Sequence, residues 1–165
     1  MPEKKQILTR EVTEKKLRRM AIEIVERNAG EPSFILAGIR ENGLVIAKKL
    51  HSMLSEVYNG TIEVLGISLD KRSPKDISLD TSIELNDRVI ILIDDVANSG
   101  RTMLYALKPF LDHQPKKIQT LVLVERTHKA FPIDPDYVGL SIATTLQEHI
   151  KVEVENDQIL GAWLQ

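Results

Sequence analysis

The chain has 165 residues, 42% of them hydrophobic, and its 22 lysines and arginines against 24 aspartates and glutamates give a net charge of −2. This length and apolar content suit a single domain over residues 1–165, and the near-neutral charge provides no general attraction to nucleic acid or to a membrane. Because the chain has no cysteine, disulfide scaffolds and thiolate metal sites are excluded; without a signal-like or membrane-length apolar run, we expect a cytoplasmic protein.

Helical and strand patterns alternate in the first half of the chain. The predicted order is helix, strand, helix and strand, over Thr13–Asn28, Phe34–Ala37, Gly43–Leu54 and Ile62–Leu69. Thr13 is the expected N-cap of the first helix, and Asn28, Ala29 and Gly30 are its expected end. The second helix follows a turn bracketed by Gly38 and Gly43, and two glycines allow a ligand to approach backbone amides closely.

The second half continues the alternation after a polar segment. It predicts a mobile loop or short hairpin, a strand, a helix and three more strands, over Asp70–Asp87, Val89–Ile93, Met103–Leu111, Ile118–Val124, Tyr137–Gly139 and Ile150–Val154. The apolar tail Ile159–Leu164 is expected to cover an edge or an interface. Alternation of this kind predicts βαβ units, and hence a three-layer α/β sheet with a small appended lobe.

The run from Val89 to Thr102 is the most informative part of the sequence. Val89–Ile93 is apolar without alternation, which predicts a strand covered on both faces of a parallel sheet. Asp94 and Asp95 follow at its end, where ligands of such sheets bind. The next turn offers backbone amides, hydroxyl groups and a helix N-terminus to a phosphate. The two acids would instead hold sugar hydroxyls or Mg²⁺, unless they merely cap the helix after an ordinary turn.

This order of apolar residues, two acids and a glycine-containing turn resembles the phosphoribosyl-diphosphate signature of type I phosphoribosyltransferases. The resemblance implies a three-layer α/β fold with a mainly parallel central sheet, helices on both faces and a small hood lobe. It assigns Asp94 and Asp95 to the ribose hydroxyls. It assigns the 5-phosphate to a turn made of Ala97, Asn98, Ser99, Gly100, Arg101 and Thr102.

The same resemblance makes the turn between Gly38 and Gly43 the diphosphate loop, which in the family often has a non-proline cis peptide. We expect Arg40 to be the charge partner of diphosphate, with the backbone amides of Glu41, Asn42 and Gly43 around it. Close relatives have a basic residue where this chain has Asn42. A plain connection between strand and helix remains the alternative.

Two cations, Lys71 and Arg72, follow Asp70 at the start of the polar loop. The resemblance implies that they close over the leaving diphosphate and stabilise its growing negative charge while water is excluded. With Arg40, Asp94 and Asp95 they complete the predicted catalytic set. The alternative is that this stretch is a solvated loop.

Residues 124–139 narrow the resemblance to one group within the type I phosphoribosyltransferases. Their pattern of an acid, Arg126, His128, a basic residue and Pro-Ile, followed by Asp-Tyr-Val-Gly, is similar to the region after the fourth strand in the bifunctional pyrimidine-operon attenuator and uracil phosphoribosyltransferase group. The resemblance implies that Arg126 and the main chain of residues 127–133 bind the base. Alternatively, Arg126 and His128 only organise a loop.

The resemblance implies an enzyme that transfers the 5-phosphoribosyl group from phosphoribosyl diphosphate to a nucleobase, with uracil as the first candidate. Mg²⁺ is expected to bind through the substrate near Asp94 and Asp95, without direct protein ligands, and the protein is expected to form a homo-dimer or tetramer. One alternative is a nucleotide-sensing, RNA-binding regulator of pyrimidine genes. Its basic helix face would comprise Lys15, Lys16, Arg18 and Arg19, although Ile22 is apolar. Another is a catalytically idle sugar-phosphate binder.

Overall fold

The computed structural model describes residues 3–74 and 76–165. Met1, Pro2 and Lys75, which fall within the predicted domain and its polar loop, lie outside the described residues. The described part of the chain contains nine strands and four helices. In chain order these are β1 (Lys5–Leu8), α1 (Arg10–Arg27), β2 (Ser33–Ile39), α2 (Asn42–Val57), β3 (Thr61–Ser68), β4 (Ser78–Leu79), β5 (Val89–Ala97), α3 (Arg101–Ala106), α4 (Lys108–Leu111), β6 (Lys117–Arg126), β7 (Tyr137–Ile142), β8 (Ile150–Glu155) and β9 (Gln158–Leu164).

Six strands form the central sheet in the order β4-β3-β2-β5-β6-β7. All neighbours are parallel except β4, which returns antiparallel to β3 as the short hairpin that was one alternative for the polar segment. One face of the sheet packs against α1 and α2, and the other packs against α3 and α4. The predicted three-layer α/β architecture is therefore confirmed. The described residues include no helix that is both long and apolar enough to cross a membrane.

Strand β5 is longer than its apolar run predicted. Its pairing with β2 ends at Gly38 and Ile93, but its pairing with β6 continues until Ala97 lies opposite Glu125. The prediction that the strand ends before Asp94 was therefore wrong, because backbone pairing with β6 carries the chain through both acids. Asp94 and Asp95 lie where β5 keeps one neighbour and has lost the other.

Two predictions about the helices were also wrong: the start of the first helix, and the continuity of the third. Helix α1 begins one turn earlier, since the Thr9 hydroxyl oxygen accepts the N-capping hydrogen bond from the Val12 amide at 3.2 Å. Thr13 is instead buried within the helix, and its hydroxyl donates to the Thr9 carbonyl at 2.7 Å. The single helix expected over Met103–Leu111 is divided at Leu107 into α3 and α4, with Pro109 in the first turn of α4.

A separate three-stranded antiparallel sheet, in the order β1-β9-β8, forms the hood lobe. Strand β1 was not predicted, and the apolar tail is the middle strand of this sheet rather than the cover of an edge. Lys5 lies opposite Leu164, and Ile150 lies opposite the same leucine from the other side. The hood therefore joins segments from opposite ends of the described chain.

The two glycines that bracket the β2–α2 turn permit backbone to pack against backbone. A Cβ atom on Gly43 would lie 2.5 Å from the Ile93 carbonyl oxygen, and one on Gly38 would lie 2.5 Å from the Leu44 Cα. Real Cβ atoms essentially never approach so closely. These contacts hold the start of α2 directly against β5 at the point where Asp94 begins.

Replacing Gly43 by alanine tests this packing. Alanine has the higher helix propensity by about 1 kcal/mol, but we expect Gly43→Ala to lower the free energy of unfolding by about 1–3 kcal/mol because the rigid Ile93 backbone cannot yield. Urea denaturation measures the change. Ser52→Ala, at an exposed position of the same helix, should stay within about 0.5 kcal/mol of wild type. A Gly43→Ala protein as stable as wild type would contradict the tight packing of Gly43 against the Ile93 backbone.

Candidate active site

A cavity of about 310 Å³ opens at the carboxyl end of β5. It is lined by Asn42, Lys71, residues 94–103 and residues 150–152. The run 94–103 contains both acids and the complete predicted phosphate turn. The cavity thus brings together the acids, the turn, one residue of the predicted lid and strand β8 of the hood, and its volume lies in the range of small-ligand sites.

The Asp95 carboxylate is held through both of its oxygens. Its Oδ1 accepts from the Val96 amide at 2.8 Å, and its Oδ2 accepts from Nδ2 of Asn42 at 2.9 Å. A carboxylate can accept about four hydrogen bonds. Asp95 therefore retains acceptor capacity for hydroxyl groups of a ligand.

Asp94 is buried, with 1% of its surface exposed. Burial raises its pKa well above the ordinary value, the neighbouring Asp95 charge raises it further, and Lys71 opposes the rise. Lys71 Nζ lies 3.6 Å from Asp94 Oδ1, and that oxygen also accepts from the Asp95 amide at 2.8 Å. Two adjacent carboxylates with one cation form a site that a further positive charge would stabilise.

The phosphate turn is shaped by Gly100, whose φ of +85° is a left-handed conformation that favours glycine. The Ser99 hydroxyl oxygen accepts from the Arg101 amide at 3.2 Å, which leaves its proton free to donate to a ligand. Asn98 and Thr102 line the same turn, and Ala97 is buried at the end of β5. Because α3 has only six residues, the donors of the turn contribute more than a helix dipole.

The structure separates the two predicted lid residues. Lys71 lines the cavity and faces Asp94. Arg72 is exposed, and its backbone amide donates to Asp70 Oδ1 at 2.9 Å. Lys71 is therefore placed to meet a ligand in the cavity, whereas Arg72 is not part of the lining.

Arg40 does not line the 310 Å³ cavity either. Its guanidinium donates to Asp80 Oδ2 at 2.5 Å, and Asp80 Oδ1 accepts from the Gly66 amide at 2.7 Å. Burial raises the pKa of Asp80, but the Gly66 amide and Arg40 together lower it below its ordinary value. Arg40 and Glu41 line an adjoining cavity of about 460 Å³, and the peptide bond between them is cis.

Asn42 and Gly43, the other predicted diphosphate-loop residues, contact the protein. Asn42 lines both cavities and holds Asp95, and Gly43 is packed against Ile93. The loop thus supports the acids as well as bordering the space beside them.

Arg126 joins the predicted phosphate turn to the segment that leads into β8. Its Nε donates to Asn98 Oδ1 at 3.1 Å, its Nη1 donates to the Thr145 carbonyl at 3.4 Å, and its Nη2 donates to the Glu148 carbonyl. These contacts agree with the alternative that Arg126 organises a loop, and base binding by Arg126 stays a prediction.

The main chain predicted to bind the base is attached to the phosphate turn. The amides of Ala130 and Phe131 both donate to the Ser99 carbonyl, at 3.1 and 3.0 Å. Gly100 allows Ile133 to approach, because a Cβ at this glycine would lie 3.1 Å from the Ile133 Cβ. The segment predicted to bind the base and the turn predicted to bind the phosphate are therefore directly connected.

Sequence reasoning missed the hood side of the site and the partner of Arg40. Ile150, Lys151 and Val152 of β8 line the cavity, and Asp80 holds Arg40. The Ile150–Val154 pattern had predicted a strand, but nothing in it indicated that this strand faces the acids. Asp80 lies 40 positions from its partner, so only the fold brings the two together.

Among residues 3–74 and 76–165, no three or more His, Cys, Asp or Glu side chains form a group that could hold a metal ion. The two adjacent carboxylates, with Lys71 3.6 Å from Asp94, nevertheless fit a divalent cation that is brought in with a ligand, because oxygen donors suit Mg²⁺.

Comparison with known proteins identifies the family of this chain. Residues 3–157 match the model described as the phosphoribosyl transferase domain. Two curated relatives, both named Bifunctional protein PyrR, come from Streptococcus pneumoniae strain CGSP14 and serotype 19F strain G54. Each is 34% identical over 166 residues, covering 94% of this chain and 95% of the relative.

Solved structures share the fold. A hypoxanthine phosphoribosyltransferase variant from Trypanosoma cruzi, complexed with the product IMP, has a TM-score of 0.77 at 16% identity, covering 95% of this chain and 83% of its own. A hypoxanthine-guanine phosphoribosyltransferase from Bacillus anthracis has a TM-score of 0.70 at 19% identity, with coverages of 84% and 82%. At these identities the likeness concerns the fold alone.

The buried Asp94 makes stability depend on pH. Below the unfolded-state pKa of about 3.9, both states hold the proton. As the pH rises, the unfolded chain loses it first, so folding stability falls until the raised folded-state pKa is passed. Asp94→Asn removes this loss, and we expect its Tm at pH 7 to exceed the wild-type Tm by about 2 °C or more.

Thermal unfolding between pH 4 and pH 8 measures this effect. The gain from Asp94→Asn should shrink towards pH 4, and Asp112→Asn, at an exposed position, should show no comparable trend. A Tm gain that is equal at every pH would contradict the raised pKa of Asp94.

Proposed function

The chain belongs to the phosphoribosyl transferase family, and we propose that it is a single-domain enzyme that transfers the 5-phosphoribosyl group from phosphoribosyl diphosphate to a nucleobase, with uracil as the first candidate. The observation that carries this proposal is the shared cavity in which Asp94 and Asp95 stand beside the turn of residues 97–102. Acceptors for sugar hydroxyls and donors for a phosphate lie together there.

The reaction exchanges two bonds at the anomeric carbon. The bond to the diphosphate oxygen breaks and its electron pair leaves on diphosphate, while a ring nitrogen of the base supplies the pair for the new carbon–nitrogen bond and loses its proton. The sugar passes through an electron-poor, oxocarbenium-like state. Catalysis of this kind depends on positioning and electrostatics.

Each site residue has a role that this transfer reaction requires. Asp95, held through both oxygens, and the neighbouring Asp94 hold the ribose hydroxyls. The turn at Ser99 and Thr102 holds the 5-phosphate. Mg²⁺, when bound with the substrate near Asp94 and Asp95, neutralises charge on diphosphate. Lys71, which contacts Asp94, is placed to turn towards the leaving diphosphate.

The choice of uracil rests on the resemblance of residues 124–139 to the uracil-specific group and on the attachment of that segment to the phosphate turn. Arg40 is paired with Asp80, so diphosphate would compete with the Asp80 carboxylate for the Arg40 guanidinium. A cytoplasmic homo-dimer or tetramer completes the proposal.

An activity assay tests this function. Purified protein with phosphoribosyl diphosphate, Mg²⁺ and a panel of pyrimidines and purines should release diphosphate, with uracil the preferred base. We expect Asp95→Asn to lower kcat/KM by about 100-fold, since it weakens charge-assisted hydrogen bonds made in the transition state. Asn59→Asp, at an exposed position beyond α2, should match wild type. If no base supports diphosphate release, the enzymatic proposal fails.

We propose RNA binding as a second function, because relatives that cover nearly the whole chain are named bifunctional and α1 has exposed cations at Lys15 and Arg18. Part of the predicted basic face has another use. Lys16 donates to the Gly139 carbonyl and Arg19 to the Val138 carbonyl, so both fasten α1 to β7.

Binding of pyrimidine leader RNA at several salt concentrations tests the second function. We expect Lys15→Ala combined with Arg18→Ala to weaken binding and to reduce the salt dependence, because each phosphate contact contributes about one unit to the logarithmic salt slope. The same double variant should retain transferase activity. Absence of sequence-preferring binding at low salt would remove this function.

A further inference from the structure

Asn42 forms a fork between the acid pair and the hood. Its Nδ2 donates to Asp95 Oδ2 at 2.9 Å and to the backbone carbonyl of Val152 at 3.1 Å. Both partners accept hydrogen bonds only, so the nitrogen of the amide, and not its oxygen, must face them. The two N–H bonds of this side chain are therefore both used within the protein.

The fork fixes the orientation of the Asp95 carboxylate. The Val96 amide holds one oxygen from within β5, and Asn42 holds the other from the first residue of α2. A carboxylate restrained at one oxygen can rotate about its bond to Cβ, whereas restraint at both oxygens sets its plane. The remaining lone pairs then point in set directions before a sugar arrives, which lowers the cost of ordering the site on binding.

The same fork sets the position of the cavity wall. Val152 is a buried residue of β8, and residues 150–152 line the same cavity as the acids. Asn42 itself lines both this cavity and the adjoining one. A displacement of β8 away from the sheet would break one branch of the fork and release the side chain that holds Asp95.

We infer that Asn42 is a positioning residue that couples docking of the hood strand β8 to the orientation of the Asp95 carboxylate, and so to affinity for the ribose of the substrate. This inference rests on the proposed transferase function. It also gives the uncharged side chain of Asn42 a role in a loop that otherwise suits a cation, because both of its N–H bonds are used within the protein.

A double-mutant cycle tests the coupling. Asn42→Leu removes both donors at similar size, and we expect it to raise the KM for phosphoribosyl diphosphate about tenfold or more, with the KM for the base unchanged. In an Asp95→Ala background, where the coupled partner is absent, the same substitution should raise that KM by less than about threefold. Asn59→Leu provides the matched control at an exposed position.

Hydrogen exchange supplies a readout that needs no activity. Asn42→Leu should accelerate amide exchange in residues 150–164 by about tenfold or more, whereas Asp95→Ala should change it little, since the branch to Val152 remains. If Asn42→Leu fails to fold, Asn42→Ser, whose shorter side chain cannot span the two partners, takes its place in both measurements.

The outcomes separate the inference from the proposed function. A wild-type protein that is inactive with every base overturns the transferase proposal and, with it, the link to ribose affinity, while exchange still tests the fork. An active protein in which Asn42→Leu lowers only kcat, or in which the losses from Asn42→Leu and Asp95→Ala multiply, overturns the inference alone. Unchanged exchange in residues 150–164 also overturns it.

Discussion

Unequal pairing of β5 is the constraint from which the site follows. The strand is bonded to β2 only as far as Ile93, yet it stays bonded to β6 through Ala97. Beyond Ile93 one side of the strand is therefore open, but its backbone is still held straight by the other side. Asp94 and Asp95 lie in this half-paired stretch. Their backbone is therefore held by β6, while their side chains line a cavity.

That rigidity has an electrostatic cost. Asp94 is buried beside a second carboxylate, and its pKa is raised by burial first and by the Asp95 charge second. Lys71 offsets part of this charge. A structure that served stability alone would not bury an acid next to another acid, whereas strongly perturbed groups in a cleft are typical of functional sites. The cost is met by the extensive packing on both faces of the sheet.

Local patterns predicted the parts of the site that neighbours in sequence build. Residues 89–102 are consecutive, so their order alone indicated the strand, the acids and the turn, although backbone pairing with β6 moved the end of β5 beyond Asp94. The sequence could not indicate that Arg40 would bind Asp80 or that Arg126 would reach Glu148, because those partners meet only in the folded chain. The cap at Thr9 was missed because Thr13 has the same local chemistry and lies one turn later.

The composition of the hood bears on the order of assembly during synthesis. Within residues 3–74 and 76–165, strand β8 pairs only with β9, and β9 pairs with β1 at its other edge. The six-stranded sheet uses nothing beyond Ile142. A nascent polypeptide can therefore complete its main sheet on the ribosome while the wall formed by residues 150–152 still awaits its partner strand β9. Enclosure of the cavity would then appear in a single step, once β9 has emerged, rather than growing with the sheet.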